Sequence, residues 1–263
     1  METIEVTSTH EIHFLVLVGG MIGVMLLETL IPRRPESRNL MYRWTNNLSL
    51  TMLDFFVAAW AGGAIAVLLS RWSADSGFGL LQRIDAGWIV SFLVVLLLAE
   101  FLSYLVHRAF HVVPTLWRIH AVHHTDVEMD VTTSHRHHPL ELLLPLPLTA
   151  PVFLFLGPPA TAALAYVVLR TGVGLLSHGN ICLPQAVDRV LRLFVVTPDF
   201  HRLHHSSDRR FTDSNYGVVL PWFDYLFRTA TDLPFHQQKT MELGLEYLRE
   251  PRDSRLDQML LLP

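Results

Sequence analysis

Five apolar runs punctuate this chain. Residues 12–31 (IHFLVLVGGMIGVMLLETLI) are almost wholly apolar. At about 1.5 Å per helical residue, a run of this length spans about 30 Å, the thickness of a bilayer's hydrocarbon core. Pro32 stops it. A second run covers about 48–70, with Asp54 near its start, and a third covers about 87–106; the polar stretch 71–86 lies between them. Two shorter runs, 140–156 and 160–177, are separated by Gly157-Pro158-Pro159, a tight-turn signal. The pattern predicts an all-α integral membrane bundle of three spans plus a helical hairpin that enters the bilayer and returns. Residues 1–11 are polar and acidic with no basic region, so the first run reads as a retained anchor rather than a cleaved signal. There is no internal repeat, low-complexity tract or interdomain linker.

Composition agrees. Only 17% of residues are charged and 51% are hydrophobic, against about 25% charged in a soluble domain. The formal net charge of −4 excludes a global basic surface for nucleic acid. Cys182 is the only cysteine, which excludes an intrachain disulfide and a thiolate metal cage. Charge also predicts topology. The 32–47 segment has four arginines (Arg33, Arg34, Arg38, Arg43) against Glu36, whereas 71–86 is balanced. The positive-inside rule then places 32–47 in the cytosol, and the third run returns the chain there at His107.

Histidine is the outlier: fifteen residues, twelve of them between His107 and His205. Neutral imidazole is the commonest metal ligand among side chains. His107-Arg-Ala-Phe-His111 continues the third run. On a helix, residues four apart share a face, so both rings can reach one metal. His120-Ala-Val-His123-His124 and His201-Arg-Leu-His204-His205 repeat an i, i+3, i+4 pattern. His138 and His178 stand at the two mouths of the expected hairpin, which would bring them together. Ten histidines without thiolate oversupply one closed zinc site and suit a two-metal redox centre.

These motifs carry a resemblance. HRAFH (107–111), WRIHAVHH (117–124), RHHP (136–139), SHGN (177–180) and TPDFHRLHHS (197–206) resemble the fatty acid hydroxylase / sterol desaturase superfamily of membrane di-iron enzymes. SNYG (214–217) and WFDYLFRT (222–229) are also similar, so the resemblance covers about 98–230. It implies two irons held by His107, His111, His120, His123, His124, His138, His178, His201, His204 and His205 in a cytosolic histidine-rich cap. It implies O2-dependent hydroxylation or desaturation of a lipid-like substrate (fatty acyl, sterol or related). Electrons would come from NAD(P)H through a separate cytochrome b5- or ferredoxin-like carrier, since neither a fused carrier nor a dinucleotide fingerprint is found in these residues. The expected organisation is an anchor region (1–97), a di-iron domain (98–230) and a cytosolic tail (231–263), in a bacterial inner membrane with the metals facing the cytosol. The rival reading is a membrane metal-binding or metal-transport protein, but transporters place their ligands near the membrane midplane, and these motifs sit at the ends of apolar runs.

Around the motifs, Glu100 and Asp199 are candidate carboxylate partners for metal-bound rings. Arg108, Arg118, Arg136 and Arg202 flank the motifs and read as part of the positive-inside bias, with lipid headgroup binding as the alternative. His135 and His137 match no ligand position, and His10, His13 and His236 stand alone.

Overall fold

A computed structural model describes residues 6–35, 39–57 and 78–263. The protein is a helical membrane bundle, and no strand occurs among these residues. α1 (Val6–Leu30) is followed by α2 (40–57), a short α3 (Leu80–Arg83) and α4 (Trp88–Val112). Residues 58–70 of the expected second span and 71–77 of the loop after it lie outside the described residues. Then come α5 (Pro114–His124), α6 (Pro139–Leu143), α7 (Leu146–Leu156), α8 (Ala160–His178), α9 (Gln185–Leu191) and α10 (Pro198–His204). Among the described residues, four segments are long and apolar enough to cross a membrane: Glu11–Leu30, Trp88–Val112, Pro139–Leu156 and Ala160–His178. Both hairpin arms thus reach spanning length, at about 1.5 Å per residue.

Proline sets the joints. Pro114 occupies the first turn of α5, where its missing N–H costs nothing, and it ends α4 at Val112. Pro145 separates α6 from α7. Gly157 ends α7 in the left-handed region at φ 54°, and a Cβ there would stand 2.7 Å from the Gly79 Cα. Only glycine allows both that backbone and that approach.

α8 is the central helix. Leu17, Met21 and Val24 of α1 pack on its Leu175, and Val95 and Ala99 of α4 pack on its Tyr166. Outward residues such as Leu15, Ile22 and Leu26 of α1 remain exposed, as a lipid-facing surface requires. Residues 231–263 do not trail from the bundle. Phe235 lies under the Arg33 guanidinium, and Met259 packs on Leu50 and Val122.

Two of the arginines read as topological charge are internal. Arg33 pairs with Asp199 at 2.9 Å. Arg43 binds Asp126 through two bonds (2.8 and 2.9 Å) and Asp130 at 2.9 Å. Arg34 donates to the carbonyls of Gln238 and Met241, and Arg38 lies outside the described residues. The clustering of charge at 32–47 therefore has a packing cause: it ties the end of α1 and the start of α2 to the polar half of the chain.

Candidate metal centre

Helix periodicity delivers the rings. His107 and His111 occupy the last turns of α4, and His178 is the last residue of α8. α5 ends in His120, His123 and His124. α10 starts from Thr197, whose hydroxyl caps Phe200 N, with Pro198 in its first turn, and it brings His201, His204 and the following His205 inward. Nine rings collect into two adjacent groups. One contains His107, His111, His120, His124 and His204; the other contains His123, His178, His201 and His205.

The split follows from helix geometry. Positions i and i+4 project about 40° apart, whereas i+3 lies about 60° to the other side of i. Hence His120 and His124 join one group while His123 joins the other, and His201 and His205 pair while His204 crosses over. Each HxxHH helix serves both groups.

The hydrogen bonds prescribe which ring nitrogen is free. Nδ1 of His107, His204 and His178 each meets a carbonyl at 2.7 Å, on Tyr216, Ser214 and Gly174 respectively. Nδ1 of His120 meets the Glu141 carboxylate at 2.7 Å, and Nδ1 of His111 meets Asp213 at 3.2 Å. These acceptors hold the proton on Nδ1 and leave the Nε2 lone pair free. The Nε2 atoms then face one another: His107–His120 and His120–His124 at 3.1 Å, His123–His178 at 3.2 Å and His178–His201 at 3.0 Å. Nε2 of His111, His204 and His205 is buried with no partner.

Opposed lone pairs and orphaned nitrogens in a buried site are what a cation would satisfy. Two nitrogens each about 2.1 Å from one ion lie about 3.0 Å apart at a right angle and about 3.4 Å apart at a tetrahedral angle. The observed 3.0–3.2 Å spacings are thus short enough for neighbouring rings to share one ion. Burial pushes His120 down to about 3. It also takes His123, His124, His201, His204 and His205 well below the ordinary value, helped by neighbouring rings. The donor set is therefore neutral imidazole, the form that binds metal.

His138 falls outside both groups. It caps α6, its Nδ1 accepting from Leu140 N, and its Nε2 meets the Leu260 carbonyl at 3.3 Å. With both nitrogens engaged, no lone pair is free. His137 stacks on His123 with ring centres 4.5 Å apart, and the His135 ring meets Ser134. Glu100 and Asp199 do not touch the rings. Glu100 accepts from Tyr166, Arg170 and the Val219 and Leu220 N–H groups, and Asp199 binds Arg33. Arg136 and Arg202 are fully buried inside the protein; Arg136 binds Asn47 and the Val122 carbonyl, and Arg202 binds the Gly179 carbonyl.

The carboxylates that do meet the rings, Glu141 and Asp213, escape the motif reading. A signal for Glu141 exists, since it is the only acidic or basic residue between His138 and Arg170 and ionisable residues in apolar spans are functional candidates. Asp213 has no comparable signal. Tyr216, within the SNYG motif, has its ring 5.1 Å from His111 and 5.7 Å from His107. A cavity of about 280 Å³, lined by His111, Trp117, Arg209, Asp213 and Glu246 among others, opens beside the five-histidine group.

The fatty acid hydroxylase family profile matches residues 92–229, which contain all nine rings. The chain belongs to the fatty acid hydroxylase family. Among curated relatives of this fatty acid hydroxylase-family chain, the ornithine lipid hydroxylase OlsE of Rhizobium tropici is 34% identical over 149 residues, covering 56% of this chain and 44% of the relative. The very-long-chain aldehyde decarbonylase GL1-7 of Oryza sativa subsp. japonica is 28% identical over 152 residues, covering 54% and 23%. The very-long-chain aldehyde decarbonylase CER1 of Arabidopsis thaliana is 28% identical over 164 residues, covering 55% and 24%. The chain therefore spans less than half the length of these relatives. No solved structure matches it.

Proposed function

We propose that this chain is an O2-dependent di-iron membrane oxidoreductase that hydroxylates or desaturates a C–H bond of a membrane lipid. One observation carries the proposal: nine imidazoles, eight of them buried and His107 half-buried, in two adjacent groups, with Nε2 atoms turned toward each other. His107, His111, His120, His124 and His204 would hold one iron, and His123, His178, His201 and His205 the other. A bound pair of irons supplies O2 activation and hydrogen abstraction from an unactivated C–H bond. The protein contributes the rest. Acceptors on Nδ1 keep His107, His111, His120, His178 and His204 aimed, and burial excludes water. The bundle presents a lipid from the bilayer to the histidine end of α4 and α8. Family membership and the lipid-hydroxylase relative support a lipid substrate. Electrons would come from NAD(P)H through a separate one-electron carrier of cytochrome b5 or ferredoxin type, with the site facing the cytosol of a bacterial inner membrane. A metal transporter is disfavoured, because the rings gather at helix ends rather than at the middle of the spans.

The test is metal content and Mössbauer spectroscopy of detergent-purified protein after anaerobic Fe(II) loading. Two irons per chain, coupled after oxidation by O2, are expected. One metal, none, or tightly held zinc without redox response would overturn the proposal.

Glu141→Gln probes the aiming of the rings. The amide keeps the size of the carboxylate but loses its charge, and His120 no longer has an anionic acceptor. Iron affinity should fall about 10- to 100-fold, the usual effect of losing such a partner, as read by chelator competition. Unchanged affinity would show that His120 needs no such support.

A further inference from the structure

The polar half of the chain displays an apolar face. Val190, Leu193 and Phe194, in and just after α9, are exposed, as are Trp222, Leu226 and Phe227 of the 222–227 helix. The two segments form one surface, because Trp222 Nε1 donates to the Leu193 carbonyl at 2.7 Å and the Tyr225 hydroxyl donates to the Arg192 carbonyl at 3.0 Å. Leu226 is 68% exposed and Phe194 60%. A contiguous apolar patch of this kind marks a protein or membrane contact.

The patch adjoins a membrane-crossing helix, which identifies its occupant. Phe223 meets Phe101 of α4 with ring centres 5.3 Å apart, and Phe227 stacks on Tyr104 at 5.3 Å. Phe101 and Tyr104 lie in the apolar part of α4, one to two turns before His107. Leu97 and Leu105 of α4 are themselves exposed, so the lipid-facing surface of the span runs into the patch. Exposed Arg189 and Arg228 border it. Trp, Tyr and Arg beside large aliphatics are the composition of a membrane interface, where aromatic rings sit at headgroup level and arginines reach outward to water.

We infer that α9 and the 222–227 helix form a shelf embedded in the interfacial layer of the bilayer, on the histidine side of the bundle. The shelf is rigidly tied to the rings. Asp224 accepts from Tyr216 N at 2.8 Å and Gly217 N at 2.7 Å, and the Tyr216 carbonyl holds His107. The depth of the shelf therefore fixes how far the histidine groups stand from the lipid. An element lying in the interface plane with its apolar side down has this structure. The inference rests on the membrane bundle and not on which metal the rings hold.

The test is site-directed spin labelling in a Cys182→Ser background, in nanodiscs of phosphatidylcholine and phosphatidylglycerol. Leu226→Cys and Phe194→Cys report the shelf, Leu97→Cys a lipid-facing position, and Arg252→Cys, on a side chain 79% exposed, an aqueous one. The shelf labels should be several-fold more accessible to O2 than to a water-soluble nickel chelate, as at Leu97→Cys. Accessibility to the chelate as high as at Arg252→Cys would overturn the shelf. Protection from both reagents would assign the face to a second copy of the chain, and so would also overturn it.

Discussion

His204→Ala, purified and loaded with Fe(II), should lose lipid oxidation by at least about 100-fold, beyond the effect of removing a ligand's hydrogen-bonding partner, and should retain less than the full iron content. His204 Nε2 is buried without a partner, and its Nδ1 is held by the Ser214 carbonyl. Alanine removes a nitrogen aimed into the five-histidine group and leaves nothing that can replace it. His236→Ala is the matched control. That ring is exposed and lies outside both groups, and a surface substitution of this kind normally stays within about 0.5 kcal/mol. Iron content and oxidation should match those of the parent protein. Equal effects of the two substitutions would sink the ligand assignment, while loss of activity with two irons retained would make His204 a positioning residue instead.

Asp126→Ala should be the most damaging substitution outside the rings. The Asp126 side chain is fully buried and accepts from Arg43, from Asn47 at 3.0 Å and from Thr133 at 2.8 Å. Arg136, also fully buried, lies 4.0 Å away. Alanine leaves two guanidinium groups in the interior without their main counter-charge. Breaking a buried pair from one side costs about 3–5 kcal/mol, a fall in the detergent unfolding midpoint on the order of 10 °C. The double variant Arg43→Met, Asp126→Leu should lose less than the sum of the single variants. A change below about 0.5 kcal/mol for Asp126→Ala would refute this role, since that is the scale of an unremarkable surface site. The pH dependence has a definite sign. The Arg43 guanidinium overcomes the effect of burial and holds the Asp126 carboxyl well below its ordinary value. The pair's stabilisation is therefore complete above about pH 4, the unfolded carboxyl value, and is lost only as pH falls through the lower folded value.

Much of this protein is legible one residue at a time. Apolar runs of about 18 residues or more have few soluble alternatives, so α1 and α4 follow from composition along the chain, and the hairpin from two shorter apolar runs around Gly157-Pro158-Pro159. The motif histidines follow from helical periodicity, because i, i+3 and i+4 share a face whatever lies opposite. Three other things needed the tertiary structure. The allocation of rings to two groups depends on how α5 and α10 are turned toward α4 and α8. Some acceptors on Nδ1 come from other segments, such as Glu141 for His120, Asp213 for His111 and Tyr216 for His107. Proximity along the chain suggested Glu100 and Asp199, yet these carboxylates meet backbone N–H groups and an arginine. His138 shows the limit most clearly: the motif places it beside the cage, but the turn into α6 uses its Nδ1 as a cap. Sequence by itself determined which elements form and which residue types reach the metal side. Only the packing of those elements decided which nitrogen atoms converge and what supports them, because a lone pair's direction depends on contacts between separate segments, about a hundred residues apart for His107 and His111.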